Sequence, residues 1–359
     1  MPTPRHLQVT PFTDLSGANR VMLTLLAEQV RRGDCALFAL GEGPVTVEAR
    51  KLGARVITAF APGQTPLSKV KRWSGVINAL VRAVESEDAR IIHVHSAIGN
   101  HYTWPAKWLT GAKVVCHQHD TYRRDYFHFG LAGADRIIAV SNWVRNSLPP
   151  RHATRTTVLW NAVCVPPEQL ARRRTSSVLT VGMAGRCTRD KGHDLFLDAV
   201  LSLMPRYDFN VEIWGLNDGP WAQYIRRRVA DAGPLASRFR LEGFRPDMEN
   251  FYAAVDIVAM PSRVTEAFGL MAAEAMAWYR GVVAASIGGI PEMVVEGETG
   301  LLFAPEDAGG LTAQLERLIA DPSLRNRLAE TGRRRVAESL DPPRLADAVE
   351  GIYRELIPA

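Results

Sequence analysis

Short apolar runs alternate with longer amphipathic stretches along most of the chain. Runs of this length, bounded by turn residues, are typical of buried strands, and the stretches with a three-to-four-residue apolar period are typical of helices. The predicted strands include Leu7–Thr10, Cys35–Ala39, Arg55–Ala59, Ile91–His95, Arg136–Val140, Val178–Ala184, Asn210–Trp214 and Val255–Met260. The predicted helices include Ala18–Arg31, Leu67–Glu85, Asp194–Met204, Ala308–Ala320, Asp321–Ala337 and Pro343–Ile357. Regular alternation of the two predicts an α/β fold with parallel sheets.

The pattern is interrupted once, near the middle. Residues 165–177 are polar, carry two prolines directly after Val165 and are rich in arginine, so we predict an inter-domain linker there. A chain of 359 residues is also longer than one typical core. The sequence therefore predicts an N-terminal domain over residues 1–165, a C-terminal domain over 178–340 and a final helical segment over 341–359.

Composition removes several classes of function. The apolar fraction of 47% with mixed charge is that of a globular protein, and no apolar run approaches the length that spans a bilayer. The N-terminus lacks a secretory apolar region, so a cytoplasmic location is expected. The four cysteines are scattered and indicate neither a zinc nor a redox motif.

The net charge of +5 is compatible with anionic partners. The densest basic run, Arg172–Arg174, has no aromatic residues among it, so nucleic-acid binding is not expected. Anionic small-molecule substrates and an anionic membrane surface remain. The first explanation of the helix Leu67–Glu85 is a packing helix with a solvated basic face. Peripheral membrane association at the inner face, through Trp73 and its basic neighbours, is the secondary one.

The densest candidate chemistry follows the strand Val255–Met260. Glu266 falls on a loop, Phe268 and Gly269 open a helix, and Glu274 is expected about two turns inside that helix. A helix N-terminus offers free N–H groups and a positive dipole end, which suit a phosphate. The alternative is a surface helix whose acidic residues merely favour its first turn.

This stretch resembles the E-x7-E signature of the family-4 retaining glycosyltransferases, with Glu266 and Glu274 as the two carboxylates. The G-G-I-P-E of Gly288–Glu292 and the E-G-x-T-G-L-L of Glu296–Leu302 resemble further motifs of that family. The resemblance implies the GT-B fold: two Rossmann-like domains facing across a cleft, with the C-terminal helix crossing back to the N-terminal domain. It also implies a substrate-binding role for Phe268, Gly269 and Leu270 at the helix start.

Other family motifs are matched to different degrees. Arg186 and Lys191 resemble the G-R…K-G pair, and a guanidinium fork with a lysine point charge would suit a diphosphate. Two solvated surface cations are the alternative. Gly17 matches a glycine-rich turn only in part, since Ser16 precedes it, and a plain tight turn is the alternative. Phe244 is placed under the nucleotide base by the resemblance alone.

Two H-x-H pairs, His93/His95 and His117/His119, end consecutive strands. Residues i and i+2 of a strand face the same side, so each pair could chelate a metal, as in a metal-dependent hydrolase. The family resemblance instead places His119 and Asp120 near the transferred sugar, with His95 as a lining residue. His93 and His117 are then expected to be structural.

The resemblance implies transfer of a sugar from a nucleoside-diphosphate sugar to a glycan or lipid-linked acceptor, with retention, in the synthesis of a cell-surface polysaccharide or glycoconjugate. Glu266 would hold the sugar or stabilise the cationic centre, Glu274 would bind the ribose, and Arg186 with Lys191 would stabilise the leaving diphosphate. No D-x-D motif occurs, so no metal or other cofactor is expected. The alternatives are a nucleotide-sugar 2-epimerase and a non-catalytic nucleotide-sugar-binding protein. Acceptor contacts are expected in loops at Phe60–Pro66 and Ile98–Trp108.

Overall fold

The structure is a computed structural model that describes residues 5–33, 35–60, 69–121, 131–172, 177–245 and 247–358. It divides into two compact units. The first comprises Met1–Ala162 together with Pro342–Ala359, and the second comprises Val163–Asp341.

The first unit is built on a seven-stranded parallel sheet with the strand order β3-β2-β1-β4-β5-β6-β7. The strands are β1 (His6–Thr10), β2 (Ala36–Ala39), β3 (Arg55–Thr58), β4 (Ile91–Val94), β5 (Lys113–Gln118), β6 (Arg136–Ala139) and β7 (Thr156–Val158). Nearly every residue of the central strands is buried, which explains why their sequences read as continuous apolar runs rather than alternating ones.

Helices connect these strands: α1 (Gly17–Arg32), α2 (Pro44–Lys51), α3 (Lys69–Ser86), α4 (Asn100–Thr110) and α5 (Asn142–Ser147), with 3₁₀ turns at Ala97–Gly99 and Pro150–Arg155. As expected, Ser141 caps α5, its hydroxyl accepting the Val144 N–H at 3.1 Å. The chain returns to this unit at its end through the helix Pro342–Leu356, which buries Leu345, Val349 and Tyr353 in the same cluster as Leu25 of α1. The predicted crossing of the C-terminal helix onto the N-terminal domain is confirmed.

The second unit is built on a six-stranded parallel sheet with the order β10-β9-β8-β11-β12-β13. The strands are β8 (Thr180–Ala184), β9 (Asn210–Leu216), β10 (Phe239–Gly243), β11 (Ile257–Met260), β12 (Gly281–Ala285) and β13 (Leu301–Phe303). The helices are α6 (Glu168–Ala171), α7 (His193–Leu203), α8 (Pro220–Ala230), α9 (Glu249–Ala254), α10 (Leu270–Ala277), α11 (Ile290–Met293), α12 (Ala308–Ala320) and α13 (Pro322–Ser339), and the C-terminal helix Pro342–Leu356 is α14. Short 3₁₀ turns lie at Arg189–Lys191 and Gly233–Arg238.

In each sheet the order in which the strands are added reverses direction once, and a ligand is expected at that point. The order runs outward from β1 to β3 on one side and from β4 to β7 on the other, and the second sheet repeats the scheme from β8 and β11. Doubly wound sheets bind ligands beyond the carboxyl ends of the strands at such a switch point. The predicted fold class of two Rossmann-like α/β domains is confirmed.

One local expectation is wrong. Ile98–Trp108, expected to be an acceptor-binding loop, lies in a 3₁₀ turn followed by α4. Pro105 inside α4 and a high aromatic content hid the helical pattern, and Gly111, left-handed at φ +75°, ends the helix. The other expected loop, Phe60–Pro66, lies outside the described residues except for Phe60. Among the described residues, no helix is both long and apolar enough to span a bilayer.

Candidate functional site

Three loops converge at the carboxyl edge of the second sheet. They follow β8, β11 and β12, which are neighbours in the sheet, and they cover residues 185–192, 261–269 and 286–289. All but one of the site residues predicted in this half of the chain lie on these loops or on α10 directly after them.

Two glycines let these loops touch backbone to backbone. Gly192 has φ +74°, and a Cβ there would lie 2.9 Å from the Pro261 carbonyl carbon and nearer still to its oxygen. Gly288 has φ +63°, and a Cβ there would lie 2.8 Å from the Glu266 nitrogen and nearer still to the Glu266 carbonyl oxygen. No residue with a Cβ fits either place without a backbone shift. The glycines of the K-G and G-G-I-P-E motifs therefore set the position of the loop that carries Glu266.

An arginine ties the first loop to the second. The Arg263 guanidinium donates to both carboxylate oxygens of Asp194, at 2.6 and 2.9 Å, and its backbone N–H donates to the Asp190 carbonyl at 2.7 Å. Burial raises the pKa of the Asp194 carboxyl, but the Arg263 guanidinium and nearby backbone N–H groups together outweigh burial and hold that pKa below its ordinary value. The bidentate pair is therefore ionised at neutral pH and fixes the spacing of the two loops.

Glu266 and Lys191 meet as a result of this packing. The Lys191 ammonium forms an ion pair with Glu266 Oε1, and the Ser262 hydroxyl donates to the same oxygen at 2.8 Å. Within the part of the chain that the structure describes, no group donates to Glu266 Oε2. The carboxylate is thus oriented through one oxygen and leaves the other available to a ligand.

Arg186 lies two residues after β8 and is exposed. No carboxylate of the described residues pairs with it, whereas Lys191 is already paired with Glu266. Arg186 and Lys191, the two cations predicted to bind a diphosphate, therefore lie on one loop, but only the charge of Lys191 is balanced by a carboxylate of the described residues.

Gly269 is left-handed at φ +92° and precedes α10 as its N-cap. Because the helix begins only at Leu270, Glu274 lies little more than one turn inside it, and the expected two turns are wrong. Its Oε2 accepts the Tyr252 hydroxyl at 2.7 Å. Phe268 is buried, so it offers a ligand only its backbone, while Leu270 and Glu274 are half-buried.

Phe244 stands apart from this group. It follows β10, the edge strand two positions from β8, and its side chain is 69% exposed. Its role under a nucleotide base stays a prediction.

In the first unit, the turn after β1 is closed by a buried asparagine. Asn19 accepts from the Thr10 hydroxyl at 2.7 Å and donates to the Asp14 carbonyl at 2.7 Å. Gly17 is the first residue of α1, at the carboxyl end of β1, where helix N–H groups are free. The position suits an anion, but a helix start of this kind is also ordinary chain geometry.

The four histidines of the H-x-H pairs stack against one another at the ends of β4 and β5; His93, His95 and His117 are buried, and His119 is half-buried. Ring centroids lie 4.5 Å apart for His93 and His95, and 4.3 Å apart for His117 and His119. His95 Nδ1 and His119 Nε2 lie 3.1 Å apart. Burial lowers the pKa of His119 to about 3, and it holds the pKa of the other three well below the ordinary value, so all four rings are neutral at physiological pH.

Asp120, the second predicted residue of this pair, is exposed. Its Oδ1 accepts the Thr121 N–H at 2.7 Å, and its backbone carbonyl accepts from Gln118 Nε2 at 2.7 Å. The structure thus brings His119 to His95 and leaves the Asp120 side chain toward solvent.

The histidine cluster does not favour the metal-hydrolase alternative. Ligand atoms of His93, His95 and His117 lie within 4.8 Å of one another. However, His95 Nε2 is 2.6 Å from Gln8 Oε1, and His95 Nδ1 faces His119, so both of its nitrogens already have partners. A metal could take His95 only by breaking one of these buried bonds, which carries a free-energy cost.

Sequence reasoning missed several residues of these sites. Ser262 directly follows the strand-ending Pro261, and that position was the one available signal for it. Tyr252 and Asp194 carry no local signal, because only the fold brings them to Glu274 and Arg263. Gln8 lies inside an apolar strand, where a buried polar residue is itself a signal.

Each half of the chain matches a glycosyltransferase family model. A model described as Glycosyltransferase Family 4 matches residues 15–165, and one described as Glycosyl transferases group 1 matches residues 178–321. A lipopolysaccharide core biosynthesis mannosyltransferase of Rhizobium leguminosarum is 31% identical over 230 residues, which are 62% of this chain and 65% of that protein. The match thus spans less than two thirds of that relative. A lipopolysaccharide 1,2-N-acetylglucosaminetransferase of Salmonella typhimurium is 28% identical over 276 residues, which are 71% of this chain and 70% of that protein.

Solved structures agree on the fold. A glycosyltransferase from Rickettsia africae superposes with a TM-score of 0.86 at 20% identity, covering 100% of both chains. Anabaena HepE in complex with UDP and glucose superposes with a TM-score of 0.83 at 19% identity, covering 97% of this chain and 99% of that one.

Proposed function

The chain belongs to the family-4 glycosyltransferases, and from that premise we propose that it moves a sugar from a nucleoside-diphosphate sugar to a glycan or lipid-linked acceptor. The names of the relatives support this substrate class, since two of them act in lipopolysaccharide synthesis. The product would be a cell-surface polysaccharide or glycoconjugate.

One observation carries the proposal: Glu266 is oriented by Lys191 and Ser262 beside the N-terminus of α10. Lysine has three N–H donors, so Lys191 can keep Glu266 and still donate to a phosphate oxygen. Arg186 and the helix N-terminus add positive potential for the diphosphate. A carboxylate beside these donors would hold the transferred sugar next to its leaving group.

We propose further that the reaction retains the anomeric configuration and needs no metal. The E-x7-E pattern is that of retaining members, and Arg186 with Lys191 would neutralise the diphosphate where other transferases use a D-x-D-bound ion. His119 would contact the transferred sugar. Glu274, held by Tyr252, would bind the ribose hydroxyls.

The test begins with nucleoside diphosphates, because a ligand that binds only the folded state raises the unfolding temperature. The diphosphate that stabilises the protein identifies the donor base, and its sugar derivatives are then assayed with and without acceptor. Transfer in the presence of EDTA supports the proposal. An activity abolished by EDTA and restored by manganese would remove the metal-independent mechanism, and an inverted product would remove retention. Epimerised donor without acceptor would identify the 2-epimerase, and tight binding without any turnover would identify the non-catalytic binding protein.

We also propose that the protein associates with the inner face of the membrane through an aromatic surface on α3 and α4. Trp108 and Leu109 are 75% and 65% exposed, and Trp104, one turn from Trp108, and Trp73 of the adjoining α3 are exposed as well. Exposed tryptophans are typical of interfacial binding. Sedimentation with phosphatidylglycerol vesicles should be lost in Trp108→Ser and kept in Val47→Ser, whose exposed valine lies on α2. Equal binding of both variants would remove this surface.

A further inference from the structure

A chain of buried hydrogen bonds crosses the first unit from α14 and α1 to His119. Tyr353 of α14 and Gln29 of α1 contact Gln8 on β1, Gln8 contacts His95 after β4, and His95 contacts His119 after β5. Gln8, Gln29, His95 and Tyr353 are all nearly inaccessible to solvent. Because a neutral imidazole has one N–H and one lone pair, each bond in such a chain fixes the direction of the next.

The direction is set at Gln8. Its Nε2 donates to Gln29 Oε1 at 2.7 Å and to the Tyr353 hydroxyl at 3.2 Å. The Cys35 thiol lies 3.8 Å from Gln29 Oε1 and equally far from the Ala36 carbonyl, and a thiol donating to Gln29 favours this orientation of the Gln29 amide. With Gln29 Oε1 facing Gln8, turning the Gln8 amide over would bring two carbonyl oxygens together at the 2.7 Å position, so in this orientation of Gln29 the Gln8 amide presents Oε1 to His95.

The tautomer of His95 follows from the orientation of the Gln8 amide. Its Nε2 lies 2.6 Å from Gln8 Oε1, which can only accept, so the proton of His95 is on Nε2 and its Nδ1 is a lone pair. That lone pair faces His119 Nε2 at 3.1 Å. If His119 Nε2 were also unprotonated, two lone pairs would face each other in a buried site, which is unfavourable.

We infer that Gln8 and His95 are positioning residues that hold His119 in the Nε2–H tautomer, so that its Nδ1 is the hydrogen-bond acceptor offered to a hydroxyl group of the bound sugar. Within the described part of the chain, Nδ1 of His119 is shielded from solvent and has no hydrogen-bond partner, so it is a buried acceptor that a ligand hydroxyl would satisfy. The role toward the sugar rests on the proposed function; the tautomer does not. Burial keeps the ring neutral, since the pKa of His119 is about 3, so the lone pair persists at physiological pH.

The tautomer can be read directly by ¹⁵N NMR of the full-length protein labelled on histidine, because protonated and bare ring nitrogens resonate far apart. The His119 signals are identified by their loss in His119→Asn. We expect a bare Nδ1 and a protonated Nε2 for His119, and a protonated Nε2 for His95. A protonated Nδ1 on His119 in the unmodified protein would overturn the inference, whatever the variants do.

The causal role of the chain is tested with Gln8→Leu, which removes the acceptor of His95 while keeping side-chain size. We expect the His119 signals to shift toward a mixture of tautomers. His117→Phe is the matched control: His117 lies in the same ring stack, and in the described part of the chain neither of its nitrogens has a hydrogen-bond partner. An unchanged His119 tautomer in folded Gln8→Leu, or an equal change in His117→Phe, would refute the role of Gln8.

Turnover then separates this inference from the proposed function. With a nucleoside-diphosphate sugar, Gln8→Leu should lower kcat about tenfold or more and leave nucleoside-diphosphate affinity unchanged, because only the contact made by His119 is misdirected. His117→Phe should stay within about twofold of the unmodified enzyme, since it perturbs no bond of the chain. If the tautomers are as inferred and no donor is turned over, the chain of bonds stands and the proposed function fails. If turnover is normal in Gln8→Leu although the tautomer has changed, the role of His119 toward the sugar is refuted.

Discussion

Gly288→Ala should separate the conformational cost of a left-handed residue from the cost of moving Glu266. Gly288 has φ +63°, and its α-carbon lies against the backbone of Glu266 in the neighbouring loop. Gly297 provides the control in the same unit, because it has φ +72° and an added Cβ would meet nothing within 4 Å. Alanine therefore suffers the left-handed backbone at both positions but the clash at only one.

The expected magnitudes differ accordingly. Forcing alanine into the left-handed region costs about 1–2 kcal/mol, and Gly297→Ala should lose about that much. In Gly288→Ala the Cβ would lie 2.8 Å from the Glu266 nitrogen and 3.0 Å from its carbonyl carbon. The loop must move away, and overpacking of this kind adds about 1–3 kcal/mol. The movement also disturbs the Gly289 N–H bond to the Glu266 carbonyl, which is 2.7 Å long.

Thermal unfolding measures the first difference. For a unit of this size, about 1 kcal/mol shifts Tm by about 2–4 °C, so Gly288→Ala should melt several degrees below Gly297→Ala. Initial rates with the donor measure the second, since the displaced Glu266 should lower kcat/KM in Gly288→Ala far more than in Gly297→Ala. Equal melting temperatures and equal rates would show that the close approach of the two loops does not set the position of Glu266.

Three further predictions concern charge. Glu266→Gln should leave nucleoside-diphosphate affinity nearly intact while turnover collapses, whereas Glu274→Gln should weaken both; calorimetry and initial rates would show the reverse pattern if the assignments were exchanged. Lys191→Ala should raise the activation free energy by about 2–4 kcal/mol, and an unchanged kcat/KM would exclude it from the site. The four stacked histidines bind protons in the unfolded state from about pH 6.5 downward but not in the folded state, so the free energy of unfolding obtained from urea titrations should fall as pH drops below about 6.5, by up to about 1.4 kcal/mol per pH unit for each histidine. His117→Phe should flatten that slope, and an unchanged slope would mean that His117 is protonated in the folded protein.

The fold was largely predictable because its strands are buried on both faces. A continuous apolar run such as Ile257–Met260 is too apolar for a surface strand and too short for a long helix, so it predicts a buried strand. Because such runs alternate with amphipathic helices, few topologies remain possible. The helix α4 escaped this reasoning because its exposed Trp104 and Trp108 break the expected contrast between a polar and an apolar face. Propensity gave no help there, since Pro105 stands inside the helix.

The candidate site was predictable only where the residues that meet in it are close together in the sequence. Glu266 and the start of α10 lie on one continuous segment, so spacing indicated their proximity. Ser262 and Lys191 reach the same carboxylate oxygen from two different loops, and the register of β8 against β11 decides that they do. Gln8 and Tyr353 are 345 residues apart, and no local pattern connects them.

The charges around Glu266 indicate how such a site can bind a dianion next to a carboxylate. The charges of Glu266 and Lys191 cancel each other. The net positive potential therefore comes from the N-terminus of α10 and from Arg186, which pairs with no carboxylate of the described residues. A diphosphate that binds these groups does not have to displace Glu266, because Ser262 keeps one oxygen of that carboxylate in place. In the proposed reaction, as the bond between the sugar and the diphosphate breaks, negative charge would grow on the diphosphate beside Lys191 and positive charge would grow on the sugar beside Glu266. The ion pair of Lys191 and Glu266 would then already lie along the direction in which this transition state separates charge, so the proposed reaction would need little reorganisation when it forms.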